Sequence, residues 1–486
     1  MDKNKIRTEL LAKPPARWTP YPAKTTLAIA AFLCLLALPA AVPALRNYKI
    51  LDWSAVPSVL DFPVHKSSSA PIAEEQARLK PDIESLTPRP EGVVDPARNL
   101  DHFYAALLAT ERREPGAVTR ILHYGDSPTT ADLITADTRA LLQERFGDAG
   151  RGFCLIAKPW AWYSHRGVEM SASGWKIDVA MQPEVRDGRF GLGGVSFRGV
   201  AGSVAQFTLR DHGHTSLEVS YLEQPGGGAF SVSAGDKALG TVATAGDITQ
   251  PGFAAFDIPS GANRFTVRVT NGPARLFGIE FRKPGPGIEY NSLGVNGAYV
   301  SILARMFNAQ HWSLELRHYN PDLVIVNYGT NESVYPKFVD LAYSKQMTEV
   351  VRRLRAALPD ASILVMSPMD RGERDAGGGI ATVPVLPRLV SLEHQVATNT
   401  GCAFFNTFEA MGGTGTMGRW YDAEPRLVGA DFIHPMPGGA KIVGTLLYKA
   451  LLDGYNRYKM RQLAQPANSS PPSERPSEKD RPVAQR

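Results

Sequence analysis

The sequence predicts an α/β protein: a three-layer α/β/α domain around a parallel sheet, carrying an inserted β-sandwich module and preceded by one transmembrane helix. Three observations carry this expectation. Short apolar runs alternate with amphipathic helical patterns over most of the chain, which requires a parallel sheet covered on both faces. Between residues 190 and 281 the alternation stops, and short strands with Gly-rich turns replace it. Near the start lies one stretch, residues 25–45, of 21 residues without a charge.

Composition fits this outline. The 486 residues are 43% hydrophobic and 21% charged, the globular norm, which excludes collagen-like, wholly disordered and many-helix membrane proteins. Net charge is +5, and most of it sits in residues 1–24, where six basic residues face two acidic ones. The remainder is nearly neutral and offers no basic stripe, so nucleic acid is not expected as a partner. Three cysteines exclude a disulfide scaffold. Cys34 lies in the apolar stretch, while Cys154 and Cys402, flanked by apolar residues, read as small buried side chains.

Taken in chain order, residues 1–24 form a basic cytoplasmic segment and residues 25–45 the span. About 20 helical residues at ~1.5 Å each cross a ~30 Å hydrocarbon layer. The basic flank keeps the N-terminus in the cytoplasm and exports everything after residue 45. A cleaved signal peptide exports the body equally, with a cutting site near Val42-Pro43-Ala44, but its basic region is usually shorter, which favours an uncleaved anchor. Residues 46–95 read as a linker rich in Pro, Ser, Glu and Lys, and residues 461–486 as a disordered tail. The α/β domain is expected in two parts, 96–189 and 282–460, around the module at 190–281. Its buried strands are expected at 121–125, 323–328, 362–367 and 402–405, and its helices at 131–146, 340–358, 386–397 and 438–458.

Four blocks carry chemistry. Gly125-Asp126-Ser127 follows the first strand and precedes a helix, so Ser127 sits at the strand's C-terminal end, the edge where open α/β sheets bind ligands. Asp431-Phe432-Ile433-His434 supplies an imidazole that can take the serine proton and a carboxylate that can fix its tautomer. Asn331, in the loop after the strand at 323–328, offers an amide to an oxyanion, a donor worth ~10²–10³ in rate. Ser292-Leu293-Gly294-Val295-Asn296-Gly297-Ala298 is expected to open a helix, with Gly297 preferred over Gly294 as the residue whose backbone N–H approaches a substrate. Each block alone has a plainer reading: a helix start, a cap, an Asx-turn, a glycine turn.

Together and in this order, the four blocks resemble those of the SGNH hydrolases, also called the GDSL esterase family, over most of residues 120–455. The stretch from His123 to Phe153 and Leu293-Gly294-Val295-Asn296-Gly297-Ala298, with a β-module between, are similar to the branch of periplasmic peptidoglycan O-acetylesterases. The resemblance implies a five-stranded parallel sheet, Ser127 as nucleophile, His434 as base and Asp431 as its partner. It also implies an oxyanion hole of Ser127 N–H, Gly297 N–H and Asn331. Pro128 and Glu332 depart from the usual pattern, and bear on the pocket wall rather than on a reacting atom.

The expectation is therefore a serine esterase without cofactor that removes O-acetyl groups from a cell-envelope or secreted polysaccharide. An O-acetylated glycan is the expected partner, and the place a bacterial inner membrane, with the catalytic domain in the periplasm. Its rivals are an O-acetyltransferase of the same fold and an inactive, glycan-binding relative. His212 and His214 lack a third ligand, so no metal is expected. Trp160, Trp162 and Tyr163 are candidates to stack on sugar rings, and Arg371, Arg374 and Gly377-Gly378-Gly379 to form a lid.

Overall fold

Five parallel strands build the central sheet of this computed structural model, which describes residues 92–464. They are β1 (Val118–Gly125), β2 (Gly287–Gly294), β3 (Leu323–Asn327), β4 (Ser362–Met366) and β5 (Ala403–Phe405), in the order β2-β1-β3-β4-β5. The principal helices are α1 (Asp101–Glu111), α2 (Ser127–Thr130), α3 (Ile134–Phe146), α4 (Ala309–Tyr319), α5 (Ser344–Ala357), α6 (Leu386–Asn399) and α7 (Pro437–Ala464).

Alternate strand residues point to opposite faces, and helices cover both. Leu122, Val324, Val326, Ile363 and Val365 share a core with Leu316 of α4, Val350 and Leu354 of α5 and Leu389 of α6. Ile121, Ile325, Leu364 and Met366 share the other with Phe103 of α1, Leu142 of α3 and Leu447 and Leu451 of α7. Burial from both sides explains why the strands read as continuous apolar runs rather than alternating ones. The chain turns back across β1 between β2 and β3, so the crevice above the C-terminal ends of β1 and β3 is the switch point where such sheets bind ligands.

Between α3 and β2 the chain makes two antiparallel sheets of six and five strands, joined by ring contacts of Phe281 with Phe207 (5.9 Å) and Phe265 (5.1 Å). These sheets begin upstream of residue 190. Gly150–Leu155 pairs with Ala274–Arg282, and Val168–Ser173 and Lys176–Val179 are strands of the same sheets. The sequence hid them for two reasons. Gly150–Leu155 is buried almost throughout and reads like another parallel strand, while Val168–Ser173 is a largely exposed edge strand without an apolar period.

Two further expectations are corrected. The helix expected at 131–146 starts only at Ile134, as α3, and is separated from the short α2 before it because Asp132 takes a left-handed conformation (φ 50°). Its carboxylate accepts from Thr135 Oγ1 at 2.7 Å, from Arg166 N–H at 2.8 Å and from both Nη atoms of Arg139. Residues 292–298 do not open a helix: Ser292 to Gly294 end β2, paired in register with β1, and the rest is a turn. β2 escaped notice because buried polar residues, Glu289 and Asn291, interrupt its apolar run; Asn291 Oδ1 accepts the Phe153 N–H at 2.7 Å. The segments at 1–24 and 25–45, and nearly all of the linker at 46–95, lie outside the described residues. Of the stretch 461–486, residues up to Ala464 continue α7 and the remainder also lies outside. Among the described residues no helix is long and apolar enough to cross a membrane.

Candidate active site

Ser127 is the first residue of α2, immediately beyond the end of β1. Gly125 makes the turn possible, since a Cβ there would collide with Thr129 and crowd the Asn327 carbonyl at 3.3 Å. Pro128 suits the first helical turn, where its missing N–H costs nothing. Ser127 N–H is one of the donors such a helix start leaves without an intrahelical partner.

His434 Nε2 lies 2.7 Å from Ser127 Oγ, and His434 Nδ1 lies 2.6 Å from Asp431 Oδ2. The chemistry assigns the protons: Nδ1–H donates to the carboxylate, and Nε2 accepts from the serine hydroxyl. Asp431 Oδ1 also accepts the backbone N–H groups of Ile433 and His434, each at 3.1 Å, so one carboxylate fixes both loop and imidazole. Partial burial pushes the Asp431 carboxyl up, but these hydrogen bonds, led by that from His434, outweigh it and hold it below its ordinary range. Between the two residues Phe432 adopts φ 59°, its ring edge-on to Tyr421 and its carbonyl accepting the Gly372 N–H at 2.9 Å. Ser127 is 7% exposed, whereas the side chains of Asp431 and His434 are 48% and 45% exposed. The base thus stands open to solvent over a recessed hydroxyl.

Opposite lie the two loops singled out for oxyanion donors. Asn331 Nδ2 donates to the Ala298 carbonyl at 2.9 Å, which holds the amide against the loop of Gly297 and leaves its second hydrogen to another acceptor. Gly297 takes φ 68°, a conformation that favours glycine, and the space a Cβ would enter is open. At Gly294 that space is filled by the backbone of Thr129 and Thr130, so Gly294 serves the packing of β2 on α2. The fully buried Glu332 ties the two loops, accepting Val300 N–H at 2.7 Å and Gly329 N–H at 3.1 Å; burial pushes its carboxyl up to about 8. Thr330, beside Asn331, hydrogen-bonds Asp126, beside Ser127, and its carbonyl accepts from Arg371 Nη1 at 2.7 Å.

Asp126, which sequence reasoning passed over, is 2% exposed and faces His434 and Arg371. Burial raises its carboxyl to about 6, and Oδ2 has no hydrogen-bond partner. Its place in Gly125-Asp126-Ser127 was the one signal, and nothing in the residue type separated it from a turn aspartate. Of the aromatic cluster, only Trp162 faces outward, 55% exposed, with Nε1 donating to Asn296 Oδ1 at 3.2 Å. Tyr163 is buried with its hydroxyl accepting from Leu155 N–H, and Trp160 packs on the core. Arg374 and Gly377-Gly378-Gly379 belong to a hairpin, Gly372–Arg374 against Ile380–Thr382, with the Arg374 guanidinium over the Phe432 ring at 5.2 Å. His214 is buried and His212 exposed, and among the described residues no cluster of His, Cys, Asp or Glu could hold a metal. Cys154 and Cys402 are buried, free thiols.

The model of the GDSL-like Lipase/Acylhydrolase family matches residues 260–442. That span contains Gly297, Asn331, Asp431 and His434 but not Ser127, which the module separates from the other blocks in sequence and the fold returns to them. A solved peptidoglycan O-acetylesterase is similar at 24% identity and a TM-score of 0.63, over 72% of this chain and 95% of that one. This likeness is one of fold. A family two carbohydrate esterase from Clostridium thermocellum, solved with cellohexaose, matches at 13% identity and a TM-score of 0.24, over 56% of this chain and 97% of its own. No curated protein matches the sequence.

Proposed function

We propose that the chain, whose residues 260–442 match the GDSL-like lipase/acylhydrolase family, is an SGNH-type carboxylic ester hydrolase that removes O-acetyl groups from a cell-envelope or secreted polysaccharide, as a peptidoglycan O-acetylesterase does. The observation that carries this reading is the hydrogen-bonded chain Ser127–His434–Asp431. Ser127 Oγ attacks the ester carbonyl while His434 Nε2 takes its proton, and Asp431 steadies the resulting imidazolium. The oxyanion is met by the N–H groups of Ser127 and Gly297 and by the Asn331 amide. Collapse expels the sugar hydroxylate, which takes the proton from His434, and leaves acetyl-Ser127. Water, deprotonated by the same imidazole, then releases acetate and restores the serine.

Exposure of Asp431 and His434 favours this reading in two ways. An open base admits a polymer that a deep pocket would exclude. It also admits water, which favours hydrolysis over transfer of the acetyl group to a second sugar, the O-acetyltransferase alternative. The apolar segment at residues 25–45 would anchor the enzyme in the inner membrane with its catalytic domain in the periplasm.

The test is acetate release by the full-length protein from p-nitrophenyl acetate and from O-acetylated peptidoglycan, beside Ser127→Ala. Wild type is expected to act on both and the variant to lose about 10³-fold or more in kcat. Undiminished activity in Ser127→Ala would remove the mechanism, and acetylated acceptor glycan among the products would favour the transferase.

A further inference from the structure

Beside the oxyanion loops lies a group of side chains that the acetyl transfer itself does not require. Arg371 is half-buried at the ligand-binding edge of the sheet. One of its guanidinium N–H groups is held by the Thr330 carbonyl at 2.7 Å. Its electrostatic neighbours are Asp126, Tyr299, Glu373 and Tyr335, and among the described residues no carboxylate forms an ion pair with it. Tyr299 follows Gly297 by two residues and Tyr335 follows Asn331 by four. Their rings lie 6.1 Å apart at 50°, and Tyr335 is 52% exposed.

A half-buried guanidinium without a counter-ion is costly, and a planar fork with free donors matches a carboxylate in two-point fashion. The exposed ring of Tyr335 and the half-buried ring of Tyr299 beside it suit the apolar face of a pyranose ring. Asp126 lies on the buried side of Arg371 and Glu373 is exposed, so both temper the positive field without filling the fork. Trp162, 55% exposed, is tied through Asn296 to the same loop that carries Gly297 and Tyr299.

We propose that Arg371, with Tyr299 and Tyr335, forms a subsite for a carboxylate-bearing sugar of the acetylated polysaccharide, so that the enzyme selects acidic glycans over neutral ones. The proposal rests on the polysaccharide-esterase reading above and narrows its substrate class. The ring of the acidic sugar lies on the tyrosines, and its carboxylate takes the guanidinium donors that Thr330 leaves unused. Arg371 is thus a specificity-determining residue.

The experiment compares kcat/KM of the full-length protein on chemically O-acetylated polygalacturonate and on the same polymer with its carboxyl groups reduced to alcohols. O-acetylated xylan serves as a neutral reference. Wild type is expected to prefer the acidic polymer by about ten-fold or more, carried mainly in KM and shrinking as salt is raised. In Arg371→Gln the ratio between the two uronate-derived polymers should fall to near one, and Tyr335→Ala, an exposed position, should weaken binding of both. The wild-type ratio is read without any variant, so a misfolded Arg371→Gln does not spoil the test. Equal rates on acidic and reduced polymers, or action on xylan and on neither uronate polymer, would overturn the acidic subsite alone. Cleavage of p-nitrophenyl acetate with no action on these polymers or on O-acetylated peptidoglycan would overturn the polysaccharide reading, and the subsite with it.

Discussion

If Asn331 is the oxyanion donor proposed above, it meets the substrate oxygen fully only when the ester carbonyl becomes an oxyanion, and this sets what its loss should do. Asn331→Ala is expected to lower kcat on p-nitrophenyl acetate by ~10²–10³ while KM changes little, because the donor acts in the transition state and not in the bound ester. A rise in KM at constant kcat would make it a binding residue instead. Asp431 contrasts with a buried triad aspartate. Its side chain is nearly half exposed, so water can partly replace the carboxylate against His434 Nδ1. Asp431→Ala is therefore expected to retain more activity than Ser127→Ala, and equal losses in the two would show that the carboxylate is indispensable. The hydrogen-bonded set Ser127, His434 and Asp431 was legible because a serine after a strand and an aspartate three residues before a histidine are characteristic types at local spacing. Glu332 and Asp126 were not, since their significance lies in burial and in the loops they join, which no residue type announces.

At the scale of elements, the turn between α2 and α3 depends on one buried carboxylate. Asp132 and Arg139 are 1% and 2% exposed at the side chain, and Asp132 also holds Thr135 and the Arg166 N–H. Removing one member of a buried pair leaves an uncompensated charge, a loss of about 3–5 kcal/mol. Asp132→Ala is expected to lose that much in denaturant unfolding and, by loosening α2, to lower esterase activity. A variant of wild-type stability would show that the turn does not depend on Asp132. The break at Asp132 also marks where sequence reading of elements fails. Residues 131–146 carry a helical pattern throughout, and only the left-handed Asp132, favourable because of partners remote in the chain, interrupts it. β1, β3, β4 and β5 were readable as short apolar runs. β2 was not, because Glu289 and Asn291 are buried polar residues whose satisfaction is a tertiary matter, and Gly150–Leu155 carries no period that announces its antiparallel partner, Ala274–Arg282, more than 100 residues away.

For the molecule as a whole, two sets of buried groups oppose each other in pH. Burial raises the carboxyls of Asp126 to about 6, of Glu332 to about 8 and of Glu280 and Glu393 well above their ordinary values. Burial also lowers the imidazoles of His123 to about 3 and of His165 and His214 to about 4. Unfolded carboxyls lose their proton near pH 4 and unfolded imidazoles near 6.5. From about pH 4.5 to 6 the folded carboxyls keep protons that the unfolded chain has lost, so stability falls as pH rises. Over the same interval the unfolded imidazoles hold protons that the folded ones lack, so stability rises with pH. With four carboxyls against three imidazoles, the contributions largely cancel up to about pH 6, the carboxyls slightly ahead. Above 6.5 the imidazoles are neutral in both states, and of these groups only Glu280, Glu332 and Glu393 still act, so stability should decline toward pH 8. Below about 4 the imidazole term persists and is joined by Asp132 and Asp211, whose carboxyls are held at about 2 by their arginine and lysine partners against burial, so stability falls again as pH drops. Thermal unfolding followed across pH 3–8 should give a plateau between about 4.5 and 6.5 with a shoulder on each side. Glu332→Gln loses an acceptor for one backbone N–H and should unfold earlier at pH 6, but it cannot ionise. Its deficit relative to wild type should therefore shrink by pH 8, whereas parallel curves for the two proteins from pH 6 to 8 would mean that Glu332 does not keep its proton in the folded state.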